Sequence, residues 1–451
     1  MKRTLYKKLC EWKDSPSRKP LLLKGARQVG KTYLLQEFGK KEFQNTFYLN
    51  FEKDKRLAKI FSLNLDPKRI VNEIAVHFRQ KINLTSDLII FDEIQACSEA
   101  LTSLKYFCEE LPDACIACAG SLLGVYLNPV SYPVGKVDKL YMHPMSFGEF
   151  LQAGSDEEAR EYLEHVTCQS RISEYMHDYL WEKLKCYFIV GGLPEVVSVY
   201  LQHQHDPFDA VQKVRQKQLG LIEDYYADIA KHAGKVNAMH IKRIWQSIPE
   251  QLAKTQDGSA KKFKFRNAIP GIDRYDKLAD AIDWLENAGL ILKIHIVSES
   301  QLPLKAHKKE NSFKLVLFDV GILGAMCELE PSTISAQNYG SYKGYFAENY
   351  VAQALTYKDP QSLYCWEGKT AEVEFIRQLH GALIPYEVKS GWVTQSKSLQ
   401  VYRQRYNPVY RVILSAKKMH VDSTNHVHHY PLYLASYLPL ASDDHTAYSS
   451  S

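Results

Sequence analysis

A chain of 451 residues is too long for one ordinary hydrophobic core, and at roughly 150 residues per domain it predicts about three domains. Hydrophobic residues make up 45% of the chain and charged residues 24%, which is typical of a soluble globular protein. The 57 basic and 52 acidic residues give a net charge of only +5, so the overall charge does not favour nucleic-acid binding. Any basic surface must be local.

The sequence gives no sign of secretion or of a membrane span. The N-terminal segment MKRTLYKKLCEWKDS is too charged for a signal peptide, and we find no run of 18 or more apolar residues. The nine cysteines are an odd number without a regular framework, which is typical of a reducing compartment. We therefore expect a cytoplasmic protein that does not associate with a membrane.

The first motif lies between an apolar strand and a helix, in the segment PLLLKGARQVGKTYLLQEF. Residues 25–32 read G-x-x-x-x-G-K-T, the full phosphate-binding loop in the strand-loop-helix context that this motif requires. Backbone N–H groups of the loop and the helix N-terminus would bind the phosphates. The predicted nucleotide-binding residues are Gly25, Ala26, Arg27, Gln28, Val29, Gly30, Lys31, Thr32 and Tyr33.

Four side chains have predicted roles in the chemistry of this site. Lys31 should reach the β- and γ-phosphates of ATP, and Thr32 should bind Mg²⁺. The buried strand in SDLIIFDEIQ then ends in Asp92, which would hold Mg²⁺ through water, and in Glu93, which would polarise the attacking water. The two consecutive acids indicate a nucleoside-triphosphate hydrolase rather than a GTP-binding switch.

A third strand, DACIACAGS, ends at Ser121. The Ser121 hydroxyl either senses the γ-phosphate as part of the catalytic site or caps the helix LLGVYL that follows. The sequence leaves these two roles open.

The phosphate-binding loop, the Asp-Glu strand and the segments PMSFGEF and YFIVGGLPEVV together resemble a prokaryotic AAA-type ATPase family whose C-terminal part is a domain of unknown function. The resemblance extends over nearly the whole chain. In related signal-transducing ATPases, a Gly-x-Pro element of the helical lid approaches the nucleotide. The resemblance therefore implies that Gly192 and Pro194 bind nucleotide, and the alternative is a simple helix-breaking turn.

We find no clear arginine finger in the sequence. Many ATPases of this kind have a Gly-Arg pair where this chain has Lys136, and a lysine carries the charge without the planar fork of arginine. The sequence leaves open whether a neighbouring subunit of a homo-oligomer completes the site.

The middle of the chain reads as helix, basic segment, helix and strand between residues 237 and 298. This order resembles a winged helix, as the family implies. The basic segment KKFKFRNAIPG favours contact with DNA. The second helix is acidic, through Asp276, Asp280, Asp283 and Glu286, which favours domain packing or protein binding instead.

The C-terminal part has the element order of a restriction-endonuclease-like fold. A helix with Glu348 precedes a strand with Glu374, and the triplet Glu387-Val388-Lys389 is followed by a helix and a strand. The three glutamates would hold Mg²⁺, and Lys389 would orient or activate the hydrolytic water. This fold usually has aspartate at the position of Glu374, so the sequence leaves open whether the domain cleaves DNA.

We therefore predict an α/β protein that binds ATP and Mg²⁺, hydrolyses ATP and couples the nucleotide state to a nuclease-like domain acting on DNA. The alternative is a regulatory ATPase switch that binds a protein partner through an inactive C-terminal domain. The predicted parts are an AAA-type P-loop core over 1–145, a helical lid over 146–232, a winged-helix-like module over 233–300, a restriction-endonuclease-like domain over 301–435 and a flexible tail over 436–451.

Overall fold

The computed structural model describes residues 1–121, 133–233, 235–254, 260–266, 268–330, 343–358, 362–389 and 396–440. The chain divides into two compact units. The first contains Met1–His143 with Asn287–Gly289, and the second contains Pro144–Glu286 and the described part of Leu290–Ser451.

A five-stranded sheet forms the centre of the first unit, and all of its strand pairs are parallel. Its strands, in the spatial order β2-β3-β4-β1-β5, are β2 (Thr46–Asn50), β3 (Leu88–Asp92), β4 (Cys115–Ser121), β1 (Leu21–Gly25) and β5 (Asp138–Tyr141). All residues of β1 and β3 are buried, as expected for central strands of a parallel sheet with both faces covered. The carboxyl ends of these strands therefore meet at one edge of the sheet.

The described residues of the first unit form four helices, which are α1 (Leu5–Asp14), α2 (Lys31–Glu42), α3 (Pro67–Phe78) and α4 (Ser98–Glu110). A 3₁₀ helix, Lys55–Phe61, supplies Phe61 to an aromatic cluster with Phe51 and Phe91. The three rings meet edge to face, with centroids 5.6 to 5.7 Å apart. This core holds the end of β3, so that Asp92, the next residue after Phe91, is fixed at the edge of the sheet.

The helices of the second unit begin with α5 (Phe147–Ala153), whose start has a clear sequence signal. Ser146 accepts a hydrogen bond from the Glu149 amide, and the Glu149 carboxylate accepts one from the Ser146 amide, forming a capping box. The further helices are α6 (Glu157–Glu164), α7 (Glu174–Val190), α8 (Pro194–His203), α9 (Pro207–His232), α10 (Lys235–Ala253), α11 (Ala279–Asn287), α12 (Val320–Met326), α13 (Lys343–Lys358) and α14 (Lys397–Tyr406).

One face of α10 packs into the core, where Ile241, Ile244, Trp245, Ile248 and Leu252 are all buried. No single described helix has the length and hydrophobicity to span a membrane, and only the bent pair α7 and α8 meets that criterion when its two helices are joined.

An eight-stranded mixed sheet forms the other half of the second unit. In spatial order its strands are β12 (His420–Asp422), β13 (Val427–Pro431), β11 (Arg411–Ser415), β10 (Ala382–Val388), β9 (Glu372–Leu379), β8 (Leu363–Glu367), β6 (Ile291–Val297) and β7 (Lys308–Leu317). Strand β6 pairs antiparallel with β7 and parallel with β8. The strand predicted to end a winged-helix module is therefore an integral part of this sheet, and a winged helix remains a prediction.

The predicted tail begins with packed residues, since Leu438 and Leu440 are buried. Residues 441–451 lie outside the described part of the chain.

Candidate functional site

The phosphate-binding loop connects β1 to α2 and depends on two glycines. A Cβ atom on Gly25 would overlap the carbonyl oxygen of Met142, so only glycine fits there. Gly30 has a φ of 96°, in the left-handed region that favours glycine, and it precedes the first residue of α2. No side chain caps the start of α2, and a helix N-terminus is a favourable place for an anion.

Lys31 is folded back onto the loop. Its ammonium donates hydrogen bonds to the carbonyl oxygens of Gly25, at 3.0 Å, and Ala26, at 2.7 Å, and its side chain is buried. The two carbonyl oxygens keep the Lys31 ammonium beside the loop. A phosphate bound to the loop would form a stronger, charge-assisted hydrogen bond with this ammonium than the neutral carbonyls do.

Thr32 and Asp92 meet although 60 residues separate them in the sequence. The Thr32 hydroxyl lies 3.1 Å from each of the two carboxylate oxygens of Asp92. Only 2% of Asp92 is exposed, so the carboxylate is shielded from solvent and depends on protein donors. A hydroxyl and a carboxylate side by side form the oxygen-rich donor set that Mg²⁺ prefers.

Two residues of β2 complete the surroundings of the Asp92 carboxylate. The Tyr48 hydroxyl donates to Oδ2 of Asp92 at 2.5 Å, and the Asn50 side-chain amide donates to the same oxygen at 3.1 Å. Burial, together with the hydrogen bond to Asp92, raises the pKa of Tyr48 to about 12, so this hydroxyl keeps its proton at neutral pH. Neither residue was predicted from the sequence. The feature that could have indicated them is their position at the end of a strand that pairs with β3.

Glu93 follows Asp92 with a φ of 50° and begins a short 3₁₀ helix, Ile94–Ala96. Its carboxylate accepts a hydrogen bond from the side-chain amide of Gln95. Sequence analysis also missed Gln95, which fixes the direction of the Glu93 side chain at the same sheet edge as Asp92.

Arg3 is a further residue that sequence analysis missed. Its guanidinium donates to the carbonyl oxygen of Val29, at 2.8 Å, and to that of His143, at 2.6 Å, and the side chain is buried. Arg3 thereby ties the phosphate-binding loop to the segment that follows β5.

The remaining predicted residues of the first unit have different surroundings. Gln28 lies in the loop with a φ of 63°, and Tyr33 in the first turn of α2 is 53% exposed. Ser121 ends β4 in register with Gly25, but its side chain lies outside the described part of the chain, as does the helix predicted to follow it. Lys136 forms an ion pair with Glu109 at 3.0 Å on the surface.

Gly192 and Pro194 belong to the second unit. The Gly192 amide donates to Oδ2 of Asp319 at 2.6 Å, and its carbonyl oxygen accepts from the Met145 amide at 2.6 Å. Pro194 is the first residue of α8, where its missing N–H costs nothing. These contacts hold the turn inside the second unit, and nucleotide binding by the two residues stays a prediction.

The structure brings the four residues of the predicted nuclease-like site together in the second unit. The Glu374 carboxylate accepts a hydrogen bond from the Val388 amide at 3.3 Å. Lys389 pairs with Glu387 at 2.6 Å. Burial raises the pKa of Glu348 to about 7 and, together with the neighbouring Glu387 charge, raises the pKa of Glu374 well above its usual value.

A lysine that sequence analysis missed lies among these acids. Lys314 on β7 is 1% exposed, its ammonium lies 3.6 Å from Oε2 of Glu348, and it also pairs with Glu372. Within the described residues, no group of three or more histidine, cysteine, aspartate or glutamate side chains is arranged to hold a metal ion. Lys314 thus places an ammonium beside the acids of this cluster, and Mg²⁺ binding by Glu348, Glu374 and Glu387 stays a prediction.

Comparison with known proteins divides the chain into three matched segments. Residues 17–151 match the model of a family described as an AAA domain. Residues 181–333 and 343–434 match two families described as domains of unknown function, DUF8612 and DUF4143. No curated protein is significantly similar in sequence.

Several solved structures are similar to this chain at low identity and with low TM-scores. The Aeropyrum pernix ORC1 protein in complex with DNA is 11% identical, and the match covers 73% of this chain and 93% of that one with a TM-score of 0.33. AMPPCP-bound DnaA from Aquifex aeolicus is 18% identical (63% and 87% covered, TM-score 0.29). The Thermotoga maritima RuvB Holliday junction branch migration motor is 13% identical (64% and 87% covered, TM-score 0.31). These TM-scores are too low to bear on activity.

The parallel sheet order, the loop between β1 and α2 and the family match agree with one another. The N-terminal part of the chain therefore contains a P-loop NTPase domain, and residues 17–151 are similar to AAA domains.

Proposed function

We propose that this protein binds ATP with Mg²⁺ at residues 25–32 and hydrolyses it. The observation that carries the proposal is the contact of the Thr32 hydroxyl with both oxygens of Asp92, at 3.1 Å each. The loop follows β1 and the acid ends β3, and their contact places a hydroxyl and a carboxylate together beside the phosphate-binding loop.

Each residue of the site has a distinct task. The loop N–H groups and Lys31 bind the phosphates, and Lys31 moves from the loop carbonyls to the β- and γ-phosphates. Thr32 and Asp92 hold Mg²⁺, which when bound neutralises charge on the phosphates. Glu93, oriented by Gln95, accepts a proton from the attacking water. Ser121 is the candidate for sensing the γ-phosphate.

ATP hydrolysis by purified protein tests this proposal, with the release of phosphate measured against Mg²⁺ concentration. Lys31→Ala should abolish nucleotide binding and turnover, whereas Glu93→Gln should retain binding and lose at least 100-fold in turnover, in line with removal of a general base. The matched control is Lys40→Ala, an exposed lysine on the same helix. Undiminished turnover in Lys31→Ala would refute the proposal.

A second candidate function is cleavage of DNA by the C-terminal cluster under control of the nucleotide state. It is favoured by the convergence of Glu374, Glu387 and Lys389, which come from two neighbouring strands. It is opposed by Lys314, which supplies the cation that a metal would supply. The rival assignment is a regulatory switch in which this domain binds a protein partner and cuts nothing.

The decisive assay incubates plasmid and single-stranded DNA with the protein and Mg²⁺ or Mn²⁺, with and without ATP. Metal-dependent cutting that Lys389→Ala removes would establish the nuclease. Intact DNA alongside active ATP hydrolysis would assign the C-terminal domain to binding instead. The matched control is Lys397→Ala, at the exposed start of α14.

A further inference from the structure

The Asp92 carboxylate has unequal surroundings on its two oxygens. Oδ2 accepts from Tyr48 at 2.5 Å and from Asn50 at 3.1 Å. Thr32 lies 3.1 Å from both oxygens but has a single hydroxyl hydrogen to give. Two donors from β2 are therefore hydrogen bonded to Oδ2, whereas Oδ1 can still accept further hydrogen bonds or bind a cation.

The orientation of the Asn50 amide is fixed by its own contacts. Its Oδ1 accepts hydrogen bonds from the amides of Glu52, at 3.1 Å, and Lys53, at 2.7 Å. The NH₂ group must then point the other way, toward Oδ2 of Asp92 and the Tyr48 hydroxyl, which it reaches at 3.1 Å. Because Asn50 donates to the Tyr48 oxygen, the Tyr48 hydrogen is directed at Asp92.

From this geometry we infer that Tyr48 is a positioning residue for Mg²⁺ binding: its hydroxyl holds Oδ2 of Asp92, so that Oδ1 would be turned toward a bound ion. The inference rests on the proposed function of this site. Tyr48 acts through Asp92, the side chain to which its hydroxyl donates.

The parallel register explains why these two strands can cooperate. Asn50 is paired with Asp92, and Tyr48 stands two residues earlier on the same side of β2. Two half-buried side chains of β2 thus support the metal-binding carboxylate in the way that outer hydrogen bonds orient metal ligands in general. Removing the Tyr48 hydroxyl leaves Oδ2 with only the Asn50 amide and the Thr32 hydroxyl near it, so the carboxylate is held less firmly.

The test is Tyr48→Phe, which keeps the half-buried ring and removes only the hydroxyl. We expect the affinity for a fluorescent ATP analogue in EDTA to stay within about twofold of the wild type, whereas the gain in affinity on adding Mg²⁺ falls by about tenfold. The Mg²⁺ concentration for half-maximal ATP hydrolysis should rise by a similar factor. Tyr106→Phe, on α4 and away from Asp92, is the matched control.

The outcomes separate this inference from the proposed function. If the wild type binds the analogue in a Mg²⁺-dependent way but releases no phosphate, hydrolysis fails while the binding comparison still decides the role of Tyr48. An unchanged Mg²⁺ dependence in Tyr48→Phe would overturn the inference. Equal loss of affinity in EDTA and in Mg²⁺ would also overturn it, because it would indicate a structural role only.

Discussion

The Asp319 carboxylate accepts a 2.6 Å hydrogen bond from the amide of Gly192, a residue 127 positions earlier in the chain. Asp319 also caps α12, accepting from the Ile322 amide at 3.1 Å. The carboxylate is fully buried, and burial raises its pKa to about 6. One acid thus joins the turn between α7 and α8 to the beginning of α12, a connection that neither segment indicates by itself.

Gly192→Ala should destabilise the second unit. The added Cβ would overlap the backbone carbonyl oxygen of Met145, and backbone atoms cannot move aside as a flexible side chain can. We expect a loss of about 2–3 kcal/mol in the free energy of unfolding, the range for overpacked cores.

Gly220→Ala provides the opposite control for this substitution. Gly220 lies inside α9, and nothing lies within 4 Å of the Cβ that alanine would add. Alanine should stabilise that helix by about 0.5–1 kcal/mol. Urea unfolding gives the free energy of unfolding of both variants. A Gly192→Ala protein as stable as the wild type would show that the turn can rearrange to accept the added Cβ.

Because His295 is buried, we expect the free energy of unfolding to fall at acidic pH. Burial, with the nearby charges of Lys308 and Lys293, lowers its pKa from 6.5 to about 4. Since the folded pKa is the lower one, the contribution of neutral His295 is complete above pH 6.5 and is lost as the pH falls toward 4. The full difference corresponds to about 3 kcal/mol.

His295→Gln, which cannot titrate, tests this prediction. Between pH 7.5 and pH 5 the wild type should lose about 2 kcal/mol more unfolding free energy than the variant does. His165→Gln, at an exposed helix end, is the control and should leave the pH dependence unchanged. Parallel curves for the wild type and His295→Gln would contradict a buried neutral histidine.

The sequence predicts much of the nucleotide site because the phosphate loop is a local structure. Strand, glycines, lysine and helix are consecutive, and the backbone between Gly25 and Lys31 is determined within that segment. Tyr48 and Asn50 could not be found in this way. Their meeting with Asp92 depends on β2 lying next to β3, and the order of strands in a sheet is a property of the whole domain.

The C-terminal cluster shows the same limit. Glu374, Glu387 and Lys389 lie on neighbouring strands of a hairpin, so their spacing along the chain already predicts that they meet. Lys314 enters from β7 at the far edge of the sheet, within the apolar segment KLVLF. A single lysine in such an apolar segment predicts the end of a strand. The burial of Lys314 against Glu348 depends on the packing of α13, which the segment itself does not indicate.

Arg3→Ala should loosen the phosphate-binding loop. It removes two hydrogen bonds to carbonyl oxygens, those of Val29 and His143, and leaves these oxygens without a charged donor. We expect about a tenfold loss in ATP affinity, together with a modest loss of stability, measured by titration with a fluorescent analogue. Lys2→Ala, an exposed neighbour, is the control. Unaltered affinity in a less stable Arg3→Ala protein would limit Arg3 to a role in folding.

Lys314→Met should strongly destabilise the second unit. Methionine fills a similar volume but removes the ammonium that pairs with the buried Glu348 and with Glu372. Removing one partner of a buried ion pair costs about 3–5 kcal/mol, because the remaining group must either stay charged in the interior or take up a proton. Lys314 lowers the pKa of Glu348, which burial raises, so without Lys314 that pKa should rise further and the variant should lose further stability as the pH rises through 7.

The double variant Lys314→Met with Glu348→Gln separates charge from packing. If the cost of the single substitution is electrostatic, the second change should recover about half of it, measured by urea unfolding at pH 8. The control is Lys314→Met combined with Glu164→Gln, because Glu164 is an exposed residue of α6. This control should recover none of the lost free energy of unfolding. A single variant as stable as the wild type would mean that solvent or a bound cation neutralises the acids, and that Lys314 is dispensable as their internal cation.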